Sequence, residues 1–401
     1  MKKLIALILA TALCLGLAAC GAAKPEAPRH TMEPVHKIGV IVYNTGDEEV
    51  IGFREYLQGY IESNFEMVRF VYSGSITNRE EELDFIQKAC DEGVEGFMSF
   101  LSHDLAAEVA LCEKNKAYYM LASGTVADKD FEAVAENPWF LGMFGPGRAF
   151  EFQAGADMAR FFAEQDYGTR YFILSGGAPL GNEMHYQRTL GILNAFALAY
   201  GVSFETSREV LARTDRPVTL ELDPITVTIC PGYVSRAEFL NTAAQSFAAG
   251  EYDVVLSVLP PAEMVNAIGS TPLGVVDAFH TRNLQLFNDG TLKYCIGKYS
   301  SMVGPAFALM LNAVTGYADD FRSNGKAVRV TQGFWVAESA EDYAAKYALS
   351  NSASRNAYSF DDLVKVIRIF NPDATLVELE ALAEASSIFA VEARRSVRPD
   401  S

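Results

Sequence analysis

From residue 36 onward, short apolar runs alternate with longer segments whose apolar residues recur at helical spacing. His36–Asn44 (HKIGVIVYN) is rich in β-branched residues and predicts a strand buried on both faces. Glu48–Ser63 sets Val50, Phe53, Leu57 and Ile61 on one side of a helix. Met67–Tyr72 predicts a second strand. Asn78, with Glu81 three residues on, marks the start of a helix that runs to about Glu92, before Gly93. Gly96–Leu101 and Ala117–Ala122 predict two more strands, with a helix over Asp104–Asn115 between them. This alternation predicts a parallel sheet with helices on both faces.

The same grammar restarts downstream. Trp139–Phe144, Arg170–Ser175, Thr226–Cys230 and Asp253–Val258 predict strands, separated by helices over Phe150–Gln165, His185–Tyr200 and Arg236–Ala249. Ala262–Ile268 is a short helix, Leu273–Phe279 and Leu292–Ile296 are strands, and Val303–Thr315 is an apolar helix. The fold class is therefore α/β, with two doubly wound parallel-sheet lobes and a crevice between them at the carboxyl ends of the strands. After a polar linker at Ser350–Asn356, Phe360–Phe370 and Thr375–Phe389 predict two amphipathic helices around Asn371-Pro372-Asp373. This helical extension (357–391) docks on the body in the preferred reading and binds a partner in the rival one.

Half of the 401 residues are hydrophobic, which excludes a disordered or collagen-like chain. The net charge of −18 argues against nucleic-acid binding, because phosphate neutralisation needs clustered Lys and Arg. The N-terminus adds a destination. Lys2 and Lys3 precede an apolar run, Leu4–Ala19, too short to span a bilayer and suited to a secretory signal. Its end, Leu17-Ala18-Ala19-Cys20-Gly21, resembles the lipobox of bacterial lipoproteins. That resemblance implies cleavage after residue 19, lipid on Cys20, and attachment to the membrane through the acyl chains. Residues 20–36, with three prolines and no periodicity, form a tether. Of the other cysteines, Cys90, Cys112, Cys230 and Cys295 survive cleavage. None forms a CxxC pair, and each sits in an apolar stretch as a small core residue, with one disulfide left open.

No GxxxxGK[ST], HExxH or GxSxG motif is present, and the reading is of a non-enzyme without a cofactor. The Gly-rich stretch Ser175–Gly181 lacks the Lys and spacing of a phosphate cradle. His103 and His185 follow strands on opposite lobes, where both could line the crevice.

Several local patterns carry a family resemblance. Ile86-x-x-Ala89-x-x-x-Gly93-Val94-x-Gly96 leads into the third strand, Arg188-Thr-Leu-Gly191 lies in a helix of the second half, and Gly274-Val-Val-Asp277 ends a strand. Met302-Val-Gly304-Pro-Ala306 opens an apolar helix that ends at Gly316. In this order and spacing, residues 37–340 resemble the type I periplasmic binding proteins that serve ABC importers. The resemblance implies a three-crossing hinge near Phe144–Gly147, Val258–Thr271 and Gln332–Trp335. It divides the chain into an N-terminal lobe (37–143 plus 272–331) and a C-terminal lobe (144–271 plus 332–349).

It also implies ligand-contacting positions. From the first lobe come Tyr43 and Asn44, Phe53 as a stacking ring, Ser102, Asp104 (alternatively a helix cap), and Ser123 where an Asp is usual. Phe144 stands at the first crossing. From the second half come Tyr186 in place of a hydroxyl-clamping Arg, Tyr233 as a second stacking ring, and Asp277. Lys298 stands where a Gln is usual and is expected to pair with Asp277. Arg188 matches a structural position, and Leu259 and Pro260 replace an Asn-Asp pair. These departures favour a nucleoside, modified sugar or other ring compound over a plain hexose. The resulting expectation is a lipid-anchored solute-binding protein that delivers a small molecule to an ABC permease. The alternative is a ligand-sensing lipoprotein that presents its closed form to a membrane signalling partner.

Overall fold

The computed structural model describes residues 36–351 and 356–396; the signal segment, Cys20, the tether up to residue 35, and part of the linker before the extension lie outside them. In β1 (His36–Val42) the last five residues are buried. The strand pairs in parallel on one side with β2 (Val68–Ser75) and on the other with β3 (Gly96–Ser99). Burial on both faces is what a β-branched run without alternation encodes. β4 (Tyr118–Leu121), β5 (Phe140–Gly145) and β12 (Val328–Thr331) complete a six-stranded parallel sheet, ordered β12-β5-β4-β3-β1-β2. Its helices include α1 (Glu48–Arg54), which continues as a π-helical turn over Glu55–Ile61, α2 (Arg79–Asp91) and α3 (Leu105–Asn115). Asn78 caps α2 through the Glu81 amide, as its position in the sequence predicts.

The second sheet has seven strands, ordered β13-β11-β10-β9-β6-β8-β7. Its parallel core is β6 (Arg170–Ser175), β8 (Ile225–Pro231), β9 (Val254–Ser257), β10 (Leu273–Val276) and β11 (Leu292–Gly297). Two antiparallel edges close it, β7 (Val218–Leu222) and β13 (Trp335–Ala337). On one face lie α4 (Gly147–Glu164) and α5 (Glu183–Tyr200), packed backbone to backbone. A Cβ on Gly155 would stand 1.9 Å from the Arg188 carbonyl oxygen, and one on Gly191 would stand 2.0 Å from that of Phe152. Only glycine permits that approach.

The first and third crossings fall where the sequence places them, at Gly145-Pro146-Gly147 and at Gln332–Phe334. The second does not. β10 and β11 pair inside the second sheet, so residues 273–297 belong to the second lobe rather than the first. The chain returns only after Lys298, through a 3₁₀ turn (Ser300–Val303), into α8 (Gly304–Asn312). α8 is buried along its whole length and packs on the first sheet, with Met310 filling the space left by Gly96. α6 (Ala237–Ala248) and α7 (Thr281–Asn288) flank the second sheet. α9 (Ala340–Ser350) follows β13 and packs on α7.

The C-terminal extension is shorter-stepped than its periodicity predicts. α10 (Phe360–Leu363) gives way to a 3₁₀ turn, and the second predicted helix divides into α11 (Leu376–Glu384) and α12 (Ile388–Ser396). Its residues Tyr358, Leu363, Leu379, Ala383 and Val391 are buried in the same cluster as α1 and α8, so the extension docks on the body. Among the described residues no helix is long and apolar enough to cross a membrane.

Candidate functional site between the lobes

The carboxyl ends of the strands in both sheets supply the facing loops. After β1, the loop Tyr43–Asp47 leads to α1, and Asp47 caps that helix through the Glu49 amide at 2.9 Å. Asp47 does more than cap. It accepts a hydrogen bond from Tyr43 Oη at 3.0 Å and one from Tyr233 Oη, which follows β8 in the other lobe, at 3.1 Å. Asn44 borders the same tyrosine and accepts from the Gly46 amide at 3.0 Å. A second bridge crosses the crevice nearby. Lys298 Nζ, at the end of β11, donates to Glu49 Oε1 at 3.1 Å, and its side chain is buried.

Burial, reinforced by the charges of Glu49 and Asp277, pushes the Asp47 carboxyl up to about 6. Burial likewise raises the Tyr43 and Tyr233 hydroxyls, which therefore serve as donors. Asp277 is held ionised. Burial alone would raise it, but His280 at 3.0 Å, the Asn283 amide at 3.0 Å and the Ala278 backbone N–H at 2.7 Å together lower it. His280 moves upward in return: burial opposes the shift, and the Asp277 carboxylate outweighs it.

His185 stands in the first turn of α5, 9% exposed, with no partner for its Nδ1. Burial, followed by the nearby Arg188 and Lys298 cations, pushes it down to about 3, so it is a neutral imidazole at ordinary pH. Four further buried polar atoms without a partner stand at strand ends and crossings: Ser123 Oγ and Thr125 Oγ1 beyond β4, Ser301 Oγ in the second crossing and Gln332 Oε1 in the third.

Among the ten site candidates from the sequence, Asn44, Tyr233 and Lys298 meet at the contact between the lobes, and Ser123 is buried beside the first crossing. Lys298 pairs with Glu49 rather than Asp277, because His280, three residues beyond Asp277, reaches that carboxylate first. Phe53 is 1% exposed and stacks on Phe100 at 4.7 Å, so it is a core ring and not a free ligand platform. Phe144 is fully buried in the core cluster. Asp104 caps α3 and binds Arg79 at 2.7 Å. Ser102 donates to Glu108 within a cluster of buried Glu82, Glu108 and Tyr119, covered by the more exposed His103, in which burial and the Glu108 charge push Glu82 up to about 9. Tyr186 is covered by the Arg213 guanidinium, 3.8 Å from its ring centre. The sequence patterns do not mark Asp47, Glu49 or Ser301 as site residues, and they mark Gln332 only as a hinge position. The only signal for Asp47 is its position just before an apolar-periodic helix, which reads as a cap. The four cysteines Cys90, Cys112, Cys230 and Cys295 are free.

No family model matches the chain, and no curated protein matches it in sequence. Solved structures do match its fold. A protein from Mycobacterium smegmatis in complex with β-D-fucofuranose superposes with a TM-score of 0.56 at 13% identity, covering 79% of this chain and 94% of its own. An ABC transporter solute-binding protein from Bacillus halodurans with bound myo-inositol gives 0.55 at 14% identity, covering 78% and 98%. A carbohydrate transporter from Acidothermus cellulolyticus, also with myo-inositol, gives 0.54 at 16% identity, covering 80% and 99%.

The chain thus has the type I periplasmic binding protein fold, and the crevice just described lies where that fold apposes its two lobes.

Proposed function

We propose that this protein captures a small, neutral, hydroxyl-rich ring compound between its lobes and hands it to a membrane importer of the ABC type. The observation that carries this reading is the pairing state of the polar groups. The cations at the crevice are taken by carboxylates: Lys298 by Glu49, His280 by Asp277, and Arg188 by Glu151, while Asp47 is held by two tyrosines. Four neutral buried atoms at the strand ends and crossings have no partner: Ser123 Oγ, Ser301 Oγ, His185 Nδ1 and Gln332 Oε1. A buried unpartnered polar atom costs about 1–3 kcal/mol, and a ligand with several hydroxyls supplies both donors and acceptors to remove that cost. An anion would need a cation not already paired, and Lys298 and Arg188 are both taken. Fold neighbours bound to furanoses and inositol support the same ligand class. The lipobox-like Leu17–Gly21 supports lipid anchoring at Cys20 on the extracytoplasmic face.

A thermal-shift panel of furanoses, pyranoses, inositols, nucleosides and amino acids tests this. A neutral polyol or sugar at 100 times its dissociation constant is expected to stabilise the fold by about 2.7 kcal/mol. A shift from charged amino acids alone would overturn the ligand class.

A further inference from the structure

The extension lies across the hinge and touches both lobes. On the first lobe, Tyr56 Oη donates to the Tyr358 carbonyl at 2.8 Å, and the Phe360 amide donates to Tyr60 Oη at 2.9 Å. Asn312 at the end of α8 binds the Val366 carbonyl and the Arg368 amide, both at 2.8 Å. On the hinge, everything converges on Ser386, between α11 and α12. Its carbonyl accepts from Tyr299 Oη at 3.2 Å and from Trp335 Nε1 at 2.8 Å, and its hydroxyl oxygen accepts from the Gly333 amide at 3.0 Å. Tyr299 belongs to the second crossing, Gly333 to the third, and Trp335 opens β13 directly after it; the Tyr299 and Trp335 rings stack at 3.8 Å. On the second lobe, Arg395 Nη2 donates to the Leu349 carbonyl of α9 at 3.0 Å. That helix is fastened to its lobe by Tyr343, which stacks on Phe279 and bonds His280.

The geometry points to a strap: the C-terminal extension ties two of the three hinge crossings to one serine and holds the lobes in the apposed arrangement. Hinge motion in two-lobed proteins is absorbed by a few crossing residues. Here two crossings share an anchor in a third element, so they cannot change conformation independently. Any opening that separates α9 from α12 must also break the Arg395 bond. The strap therefore biases the lobes toward contact before any ligand enters, and it acts alongside the Tyr233–Asp47 and Lys298–Glu49 bridges. It depends on the two-lobed fold alone and is independent of what the crevice binds.

The test measures the distance between spin labels at Glu80 in the first lobe and Leu198 in the second, both exposed, in ligand-free full chain carrying Cys90→Ser. Arg395→Gln and Ser386→Ala each loosen one attachment, and Val377→Ala on the exposed face of α11 is the control. Arg395→Gln is expected to raise the ratio of long-distance to short-distance population about five-fold, with Ser386→Ala in the same direction. The control should match the parent. If both strap variants keep the parental distance distribution, the proposal is overturned. That holds even if their melting temperatures fall, since the extension would then be packing without control of the hinge.

Discussion

Arg188→Met is expected to lower the unfolding free energy by about 3–5 kcal/mol. Arg188 is 6% exposed, and its Nε lies 2.5 Å from Oε2 of Glu151, which is fully buried. Its Nη1 also donates to the Val258 carbonyl at the end of β9, at 2.8 Å. Methionine fills the stem but leaves the Glu151 carboxylate buried without a counter-charge, and Glu151 Oε1 already lacks a partner. That penalty belongs to the orphaned charge and not to the pair. Arg188→Met combined with Glu151→Leu should therefore recover most of the loss. Urea unfolding of both variants checks this. A single-variant loss below about 1 kcal/mol would mean that water reaches Glu151 and relieves it.

The second large effect is a gain. Asp47→Asn should stabilise the protein above pH 7 and change it little at pH 4. The Asp47 carboxyl is raised from 3.8 to about 6, so the folded state binds its proton more tightly than the unfolded state. Wild-type stability from this group is therefore fully present below pH 3.8 and declines as pH rises to about 6. Above that, the penalty is constant at roughly 3 kcal/mol, from the two-unit difference. Asparagine retains the helix cap and can still meet both tyrosines, with its carbonyl toward one and its amide toward the other. The Asp47 charge also helps to raise His280, so the wild-type minus variant difference reads Asp47 together with that smaller coupling. Thermal or urea denaturation at pH 4, 6 and 8 reads it. A variant less stable than wild type at pH 8 would contradict the assignment. Because Tyr233 of the other lobe closes over this carboxyl, the same pH dependence should tilt lobe closure toward acid.

Most of the architecture is written in local pattern. β1, β3, β6 and β9 are apolar runs bounded by breakers, and helix boundaries follow from residues such as Asn78 and Gly93. The elements that escaped are edges. β7 alternates half-buried and exposed positions, and β12 and β13 are four and three residues long. Such segments take their structure from the strand beside them. The second crossing is not legible locally for a related reason: β10 and β11 obey the same strand grammar in either lobe, and only the pairing of β10 with β9, and of β11 with β10, reveals the sheet to which they belong.

At the crevice, position along the fold brought out Asn44, Ser123, Tyr233 and Lys298. It could not show what each would face. Whether Phe53 offers its ring to a ligand depends on Phe100, which arrives from another strand and covers it. Asp47 gave only a capping signal because its second role depends on a tyrosine 186 residues away, across the lobe interface. Partner choice in a crevice is set by the apposition of lobes, which no local window contains.

The central claim is capture of one neutral ligand by both lobes at once. Calorimetric titration of the best sugar or polyol from the thermal-shift panel, against wild type, Ser123→Ala in the first lobe and His185→Leu in the second, tests it most directly. One site per chain is expected in the wild type, with affinity weakened about five-fold or more by each substitution, one from either side of the crevice. Binding left unchanged by both substitutions would contradict it.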